Sequence, residues 1–222
     1  MYSSKFILIV TFSFLFLNNL QAQPLNEKDL AKAKEYRNLD EALQKPLKVY
    51  KLSLKRSDLK ELPREIGKLQ NLQVLELNSN KFVTLPREFA RLKNLQKLDL
   101  SYSREMNFNK AFAVISKLKN LNHLNLSDNQ IRNIPQDISK LVNLRYIDLS
   151  YNKNINLVQV FSVLSKLEFV EVILLAENNI SSIPDNVTKL KNLKELHVQF
   201  NPINKEEKDR IEKLLPGVKV TY

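Results

Sequence analysis

Few residues in this chain have chemical reach. It contains two histidines, His123 and His197, and no cysteine or tryptophan. Near His123 in the recurring pattern described below stand the acids Asp99 and Asp148 and the serines Ser101 and Ser127, the inventory of a serine nucleophile with a histidine base. That chemistry needs a hydrogen-bonded relay, an oxyanion cradle and a pocket that excludes water. As diagonal neighbours on one sheet these side chains would stand ~8 Å apart with no cradle in sight, so the chain reads as non-enzymatic. His197 with Glu195 is a weak pair for a metal, and two histidines cannot make a three-histidine site. Without cysteine there is no disulfide, thiolate metal site or thiol nucleophile. Gly67 and Gly217 are the only glycines, which rules out a glycine-rich phosphate loop or dinucleotide fingerprint. No cofactor and no metal are expected.

A second group suits binding rather than reaction. It comprises Asp99, Tyr102, His123, Asn125, Asp128, Tyr146, Asp148 and Tyr151, with Leu174 and Phe200 beyond them. Tyrosine among short polar side chains gives large contact area at low entropy cost, which suits a protein ligand. The competing reading is a set of ordinary solvated strand residues, since strand propensity alone favours tyrosine. A third group is basic: Lys68, Arg91, Lys117, Lys140, Lys166 and Lys189 each precede a leucine of the repeat, in a chain of net charge +11. On successive rungs they would form a stripe ~24 Å long, able to meet a polyanion such as a glycosaminoglycan or lipid headgroup. The competing reading there is a solubilising edge. Nucleic acid is not an expected partner of an exported chain.

What must position these groups is a repeat. The phrase Leu72-Gln-Val-Leu75-Glu-Leu77-Asn-Ser-Asn80 returns at Leu95, Leu121, Leu144, Val170 and Leu193, with an earlier copy at Val49. The seven starts are 23 or 26 residues apart, and Leu72–Leu118 lies over Leu121–Leu167 without a gap, a longer period of 49. Such a period is the mark of a stacked architecture. Positions four and six alternate with polar residues, so each unit supplies one short strand with its leucines inward. No unit can bury those leucines alone, and neighbours must cover them. The ninth position reads Ser57, Asn80, Ser103, Asn129, Asn152, Asn178, Asn201, a ladder of side chains placed to satisfy backbone groups inside the coil. Positions three, five, seven and eight would face the open side.

The return segments are of two kinds. The 23-residue units carry Leu62-Pro63, Leu85-Pro86, Ile134-Pro135 and Ile183-Pro184, which fit an extended turn and a short helix. The 26-residue units lack proline and repeat apolar residues at helical spacing: Phe108, Ala111, Phe112, Ile115, Leu118 and Leu157, Val160, Phe161, Leu164, Leu167.

The pattern over Val49 to about Asn201 resembles the leucine-rich-repeat family, of the type L-x-x-L-x-L-x-x-N-x-L-x-x-L-P-x-x-I. The resemblance implies an α/β solenoid, a curved right-handed coil with a parallel β-sheet on its concave face and short and long helices alternating on its convex face. It also implies a macromolecular ligand on the concave side. The segment Tyr36–Val49 and the phrase Arg64-Glu-Ile-Gly-Lys-Leu-Gln-Asn-Leu72 resemble secreted members from pathogenic spirochaetes, which implies a role at a host surface. The two proline-free units depart from that narrower pattern.

The ends are read separately. Met1–Lys5 is basic, Phe6–Leu17 is apolar, and polar residues lead to Ala22, so residues 1–22 read as a secretory signal peptide. The apolar run is too short for a membrane anchor, and no span is expected in the mature chain. Residues 23–48 form a helical cap, with a polar helix over Glu27–Arg37 and a second starting at Asn38-x-x-Glu41; residues 49–203 form seven repeats. Residues 204–222 form a helix from Asn204 and a last strand through Val218, Val220 and Tyr222. The product is expected to be secreted, periplasmic or on the cell surface.

Overall fold

The computed structural model describes residues 24–222, so the leader read over residues 1–22 lies outside it. Nine strands form one parallel sheet in chain order: β1 Glu35–Tyr36, β2 Lys51–Ser53, β3 Val74–Glu76, β4 Lys97–Asp99, β5 His123–Asn125, β6 Tyr146–Asp148, β7 Val172–Leu174, β8 Glu195–His197 and β9 Lys219–Thr221. Equivalent repeat positions face one another across every pair of repeat strands, as in Leu75↔Leu98 and Leu124↔Ile147. The pairing continues past the three-residue strands: the Leu100 amide donates to the Asn125 carbonyl at 3.0 Å, and that of Tyr102 to Ser127 at 3.0 Å. A single core runs behind the sheet from Ala42 to Leu215, with Phe82, Phe89, Phe112 and Phe161 fully enclosed in it.

The chain returns behind the sheet by the two routes the prolines separate. Pro63, Pro86, Pro135 and Pro184 stand in extended conformation just before five-residue 3-10 helices, Arg64–Lys68, Arg87–Arg91, Gln136–Lys140 and Asp185–Lys189. Proline fixes φ there and lacks only an N–H that no helix would use. The 26-residue units instead form eight-residue α-helices. With α1 (Glu27–Lys32) and α2 (Leu39–Gln44) before them, these are α3 (Phe108–Ile115) and α4 (Leu157–Leu164). Asn107 and Asn156 cap them by accepting the Lys110 and Gln159 amides, and Phe112 and Phe161 reach into the core. The last helix, α5 (Lys205–Leu214), closes the far end.

The front differs from the expected polar helix. α1 stops at Lys32, and Glu35–Tyr36 joins the sheet beside Lys51 and Leu52. An unpaired β2 would leave backbone groups exposed, and a two-residue strand covers them.

The ninth-position amides lie between adjacent turns. Asn152 Oδ1 accepts from the amides of Asn129 (3.1 Å) and Ile131 (2.8 Å), while its Nδ2 donates to the carbonyls of Leu149 (2.9 Å) and Leu126 (3.2 Å). Asn80 accepts from Ser57 and Leu59, and Asn201 from Asn178 and Ile180, in the same way. Asn129 accepts from the Ser103 amide at 2.6 Å, and Asn178 from that of Asn152. A second asparagine series, unmarked in the sequence reading, precedes the first leucine of most units. Asn71, Asn94, Asn120, Asn143 and Asn192 each donate Nδ2 to a carbonyl of the previous turn, at 2.6 to 2.9 Å.

Candidate ligand-binding face

In every repeat strand position four is buried, so positions three and five must look outward. This aligns Lys97, His123, Tyr146 and Val172 in one row and Asp99, Asn125, Asp148 and Leu174 in the next. The rings of His123 and Tyr146 stack with centroids 5.3 Å apart and 20° between planes. His123 Nδ1 pairs with Asn122 Oδ1 at 2.6 Å. Burial and the nearby Lys97 charge hold the His123 imidazole below its ordinary range, against a smaller pull from Glu27.

The row of acids and amides is tied to its own turns. Asp99, Asn125 and Asp148 each accept the amide two residues on, of Ser101, Ser127 and Ser150, at 2.8, 2.9 and 2.9 Å. These are Asx turns, which bend the chain out of each strand. Burial pushes the Asp148 carboxyl up, a trend the Ser150 bonds oppose and the Asp99 charge adds to. Between the rows lies a shallow depression of about 170 Å3 lined by Val74, Glu76, Lys97, Asp99, His123 and Tyr146. Among the described residues no serine hydroxyl bonds to either histidine, and no three His, Asp or Glu residues gather as a metal would need.

Tyr102, Asp128, Tyr151 and Phe200 stand apart from those rows. They occupy position eight, beyond the strand ends, where the backbone turns left-handed in all seven units, from φ 54° at Tyr102 to 59° at Phe200. Strict strand alternation would turn position eight inward. The left-handed residue breaks the alternation, leaves position eight outside and sends position nine in as the asparagine ladder. Tyr102 and Tyr151 are about half exposed, and Phe200 more so. Arg104 lies 4.3 Å over the Tyr102 ring and 2.7 Å from Asp128. The expected face is therefore two structures, a strand face and an edge.

The chain itself occupies the first rungs. The Gln73 amide group grips Leu25, accepting its N–H at 2.7 Å and donating to its carbonyl at 3.0 Å. Lys51 Nζ donates to the Ala31 carbonyl, and Leu30 is buried apart from the core behind the sheet. Lys55 is committed to Glu76 at 2.9 Å. The basic end of the sheet is thus engaged, and the depression from Val74 to Tyr146 stays open beside it. At the far end His197 and Lys219 both meet Glu195, at 2.8 and 3.4 Å.

Known proteins place this geometry. Residues 29–134 match the family described as Leucine-rich repeat region, and residues 119–163 match Leucine Rich repeats (2 copies). The chain belongs to the leucine-rich-repeat family. A search of curated proteins finds no match. Among solved structures, an internalin (inlF) from Listeria monocytogenes aligns at TM-score 0.60 and 18% identity, over 83% of this chain and 50% of that one. The Toll–Spatzle complex from Drosophila aligns at TM-score 0.56 and 22% identity, over 68% of this chain and 20% of that one. These likenesses concern the fold, and the chain spans half the length of that internalin.

Within this leucine-rich-repeat frame the six cations Lys68, Arg91, Lys117, Lys140, Lys166 and Lys189 are all exposed behind the sheet, and only Lys140 pairs with an acid, Asp137, among the described residues. No helix of the described residues is long and apolar enough to cross a membrane. Two contacts on this side of the sheet escaped the sequence reading. Gln73 is a polar residue that the repeat leaves unspecified, and its burial depends on a segment 48 residues away. Arg104 carries a signal: Tyr102, Arg104 and Asp128 recur 49 residues on as Tyr151, Lys153 and Glu177.

Proposed function

We propose that this leucine-rich-repeat chain is an exported, non-enzymatic module that takes a protein ligand on the open side of its sheet. The observation that supports this most is the separation of the two faces. The leucines and isoleucines at position four are buried from Leu52 to Leu196, while Tyr146, His123 and Asn125 stay partly open beside exposed Tyr102 and Tyr151. Tyrosines among short polar groups form an adaptable contact surface. The N-terminal segment engages Lys51 and Gln73, which leaves the depression from Val74 to Tyr146 and the strands beyond it for the ligand. Export rests on the basic start and the apolar run Phe6–Leu17. A place at a host surface follows from the resemblance of Tyr36–Val49 to secreted spirochaete repeats.

The test is cross-linking capture with the mature chain and with a Tyr102→Ala, Tyr146→Ala, Tyr151→Ala triple variant of unchanged fold. The natural chain should retain a protein that the variant loses; equal capture by both would end the reading. A second reading has its own support, the row of cations with a single acid partner. Under it, heparin should bind the triple variant as well as the natural chain, with an affinity that collapses between low and moderate salt.

A further inference from the structure

The aromatic residues of the sheet edge follow a rule of their own. Tyr102, Tyr151 and Phe200 recur at an interval of 49 residues, which puts one on every second rung. Their exposures are 49%, 52% and 78%, high for such side chains. All three sit in left-handed backbone, which for a residue other than glycine costs roughly 1–2 kcal/mol. The turns between them hold acids, Asp128 and Glu177, in the same conformation. The edge therefore alternates ring, carboxylate, ring, carboxylate, ring. Beside it position seven is small from Ser101 through Ser127 and Ser150 to Ala176, and Gln199 holds it beside Phe200.

We propose that this edge binds a basic, proline-rich peptide segment in the polyproline II conformation. The inference rests on the protein-binding reading above and moves the contact from the strands to their exit turns. Two rungs of a parallel sheet measure roughly 10 Å. Polyproline II rises ~3.1 Å per residue with three residues per turn, so every third residue returns after roughly 9 Å. A proline at each third position then meets one ring per turn, at a reduced entropy cost of ordering the ligand. The residues between prolines pass the carboxylates. Glu177 has no ion-pair partner among the described residues and lies between two open rings, so the passing residue is Arg or Lys. Asp128 already shows the arrangement within the chain: it holds Arg104 at 2.7 Å while that guanidinium covers the Tyr102 ring. A neutral glycan would use the rings and leave Glu177 without a cation.

The probe is a labelled twelve-residue peptide of four Pro-Pro-Arg triplets, titrated by fluorescence anisotropy against the mature chain. The comparison peptides are four Pro-Pro-Glu triplets and three Pro-Ala-Ala-Arg quartets, which change the charge and the interval in turn. The arginine triplet peptide should bind, and both comparison peptides should bind at least ten-fold more weakly. Tyr151→Ala and Phe200→Ala should each weaken it by about ten-fold, the loss of a hot-spot ring, while Tyr146→Ala on the strand face changes it less than two-fold. Phe200 is so exposed that its variant keeps the fold even if Tyr151→Ala does not. No binding, or indifference to charge or interval, overturns the proposal. Loss on Tyr146→Ala with retention on Tyr151→Ala overturns it too, and leaves a protein ligand on the strands standing. Binding of a neutral β-linked oligosaccharide that Tyr151→Ala abolishes, with no peptide binding, would sink both readings.

Discussion

Inside a solenoid one side chain must serve two turns at once, and the ninth position shows how. Asn152 takes two amides from the turn below and gives its own to carbonyls of two turns. Its counterpart 49 residues earlier is Ser103, set in the same Asp-Leu-Ser-Tyr phrase, and the Ser103 hydroxyl is buried with no partner among the described residues. The donors that correspond to Asn129 and Ile131 are the amides of Asn80 and Phe82. Ser103→Asn should therefore complete the ladder and add about 1 kcal/mol, a rise in Tm of roughly 2–4 °C for a chain of this size. Calorimetry of the pair decides it; a lower Tm would mean that the third turn has no room for the amide. The ladder could be read from the sequence because inward asparagines recur with the leucines. The left-handed turn one residue earlier could not, since Arg56, Ser79, Tyr102 and Glu177 share no chemistry that announces a positive φ.

Two elements meet closely at the start of the array. A β-carbon on Gly67 would lie 2.7 Å from the Glu88 carbonyl oxygen and 2.9 Å from Glu88 Cβ, because the 3-10 helices Arg64–Lys68 and Arg87–Arg91 touch there. The same place in the later short helices holds Ala90, Ser139 and Thr188. Gly67→Ala should cost about 1–3 kcal/mol by overpacking, since backbone and a β-carbon cannot swing away as a long side chain would. A denaturant midpoint equal to that of the natural chain would show that the two helices can part. This contact follows from neighbouring short units, which the repeat lengths already display. The two eight-residue helices were legible for a similar reason, as Phe108, Ala111, Phe112 and Ile115 keep a helical period. β1 was not: two residues carry no period, and Glu35–Tyr36 is a strand only because β2 offers a free edge. Nor was the Leu25–Gln73 clasp, whose partners are far apart in the chain. The outward rows of the strand face came from alternation alone, but the division between face and edge needed the backbone dihedrals.

For the molecule as a whole, each rung touches its neighbours and little else, so stability is a sum of local terms and the ends decide where opening begins. The far end depends on one guanidinium. Arg210 on α5 binds Glu207 at 2.8 Å and Asp185 at 2.6 Å, and also donates to the Ile183 carbonyl. Glu207 accepts the Ile183 amide at 2.8 Å, so the helix clasps both the N–H and the carbonyl of one residue in the preceding turn. Arg210 in turn keeps the Glu207 carboxyl below its usual range. Gln159 on α4 grips Ile134 by its N–H and carbonyl in the same manner, at 3.0 and 2.8 Å, so the clasp is a device of the repeat that the cap has charged. Arg210→Ala removes charge-assisted bonds from a side chain 40% exposed, which solvent screening limits to about 1–2 kcal/mol. In a linear array that loss should stay near where it is made. Hydrogen exchange should quicken at the Val198 and Lys219 amides, which join β8 to β9, and at Glu177 and Ile180 in the turn beside them. The Leu77 and Leu100 amides, several rungs away, should exchange as in the natural chain. If all of them quicken together, the rungs unfold as one cooperative block and the account of the array as a sum of neighbours is wrong.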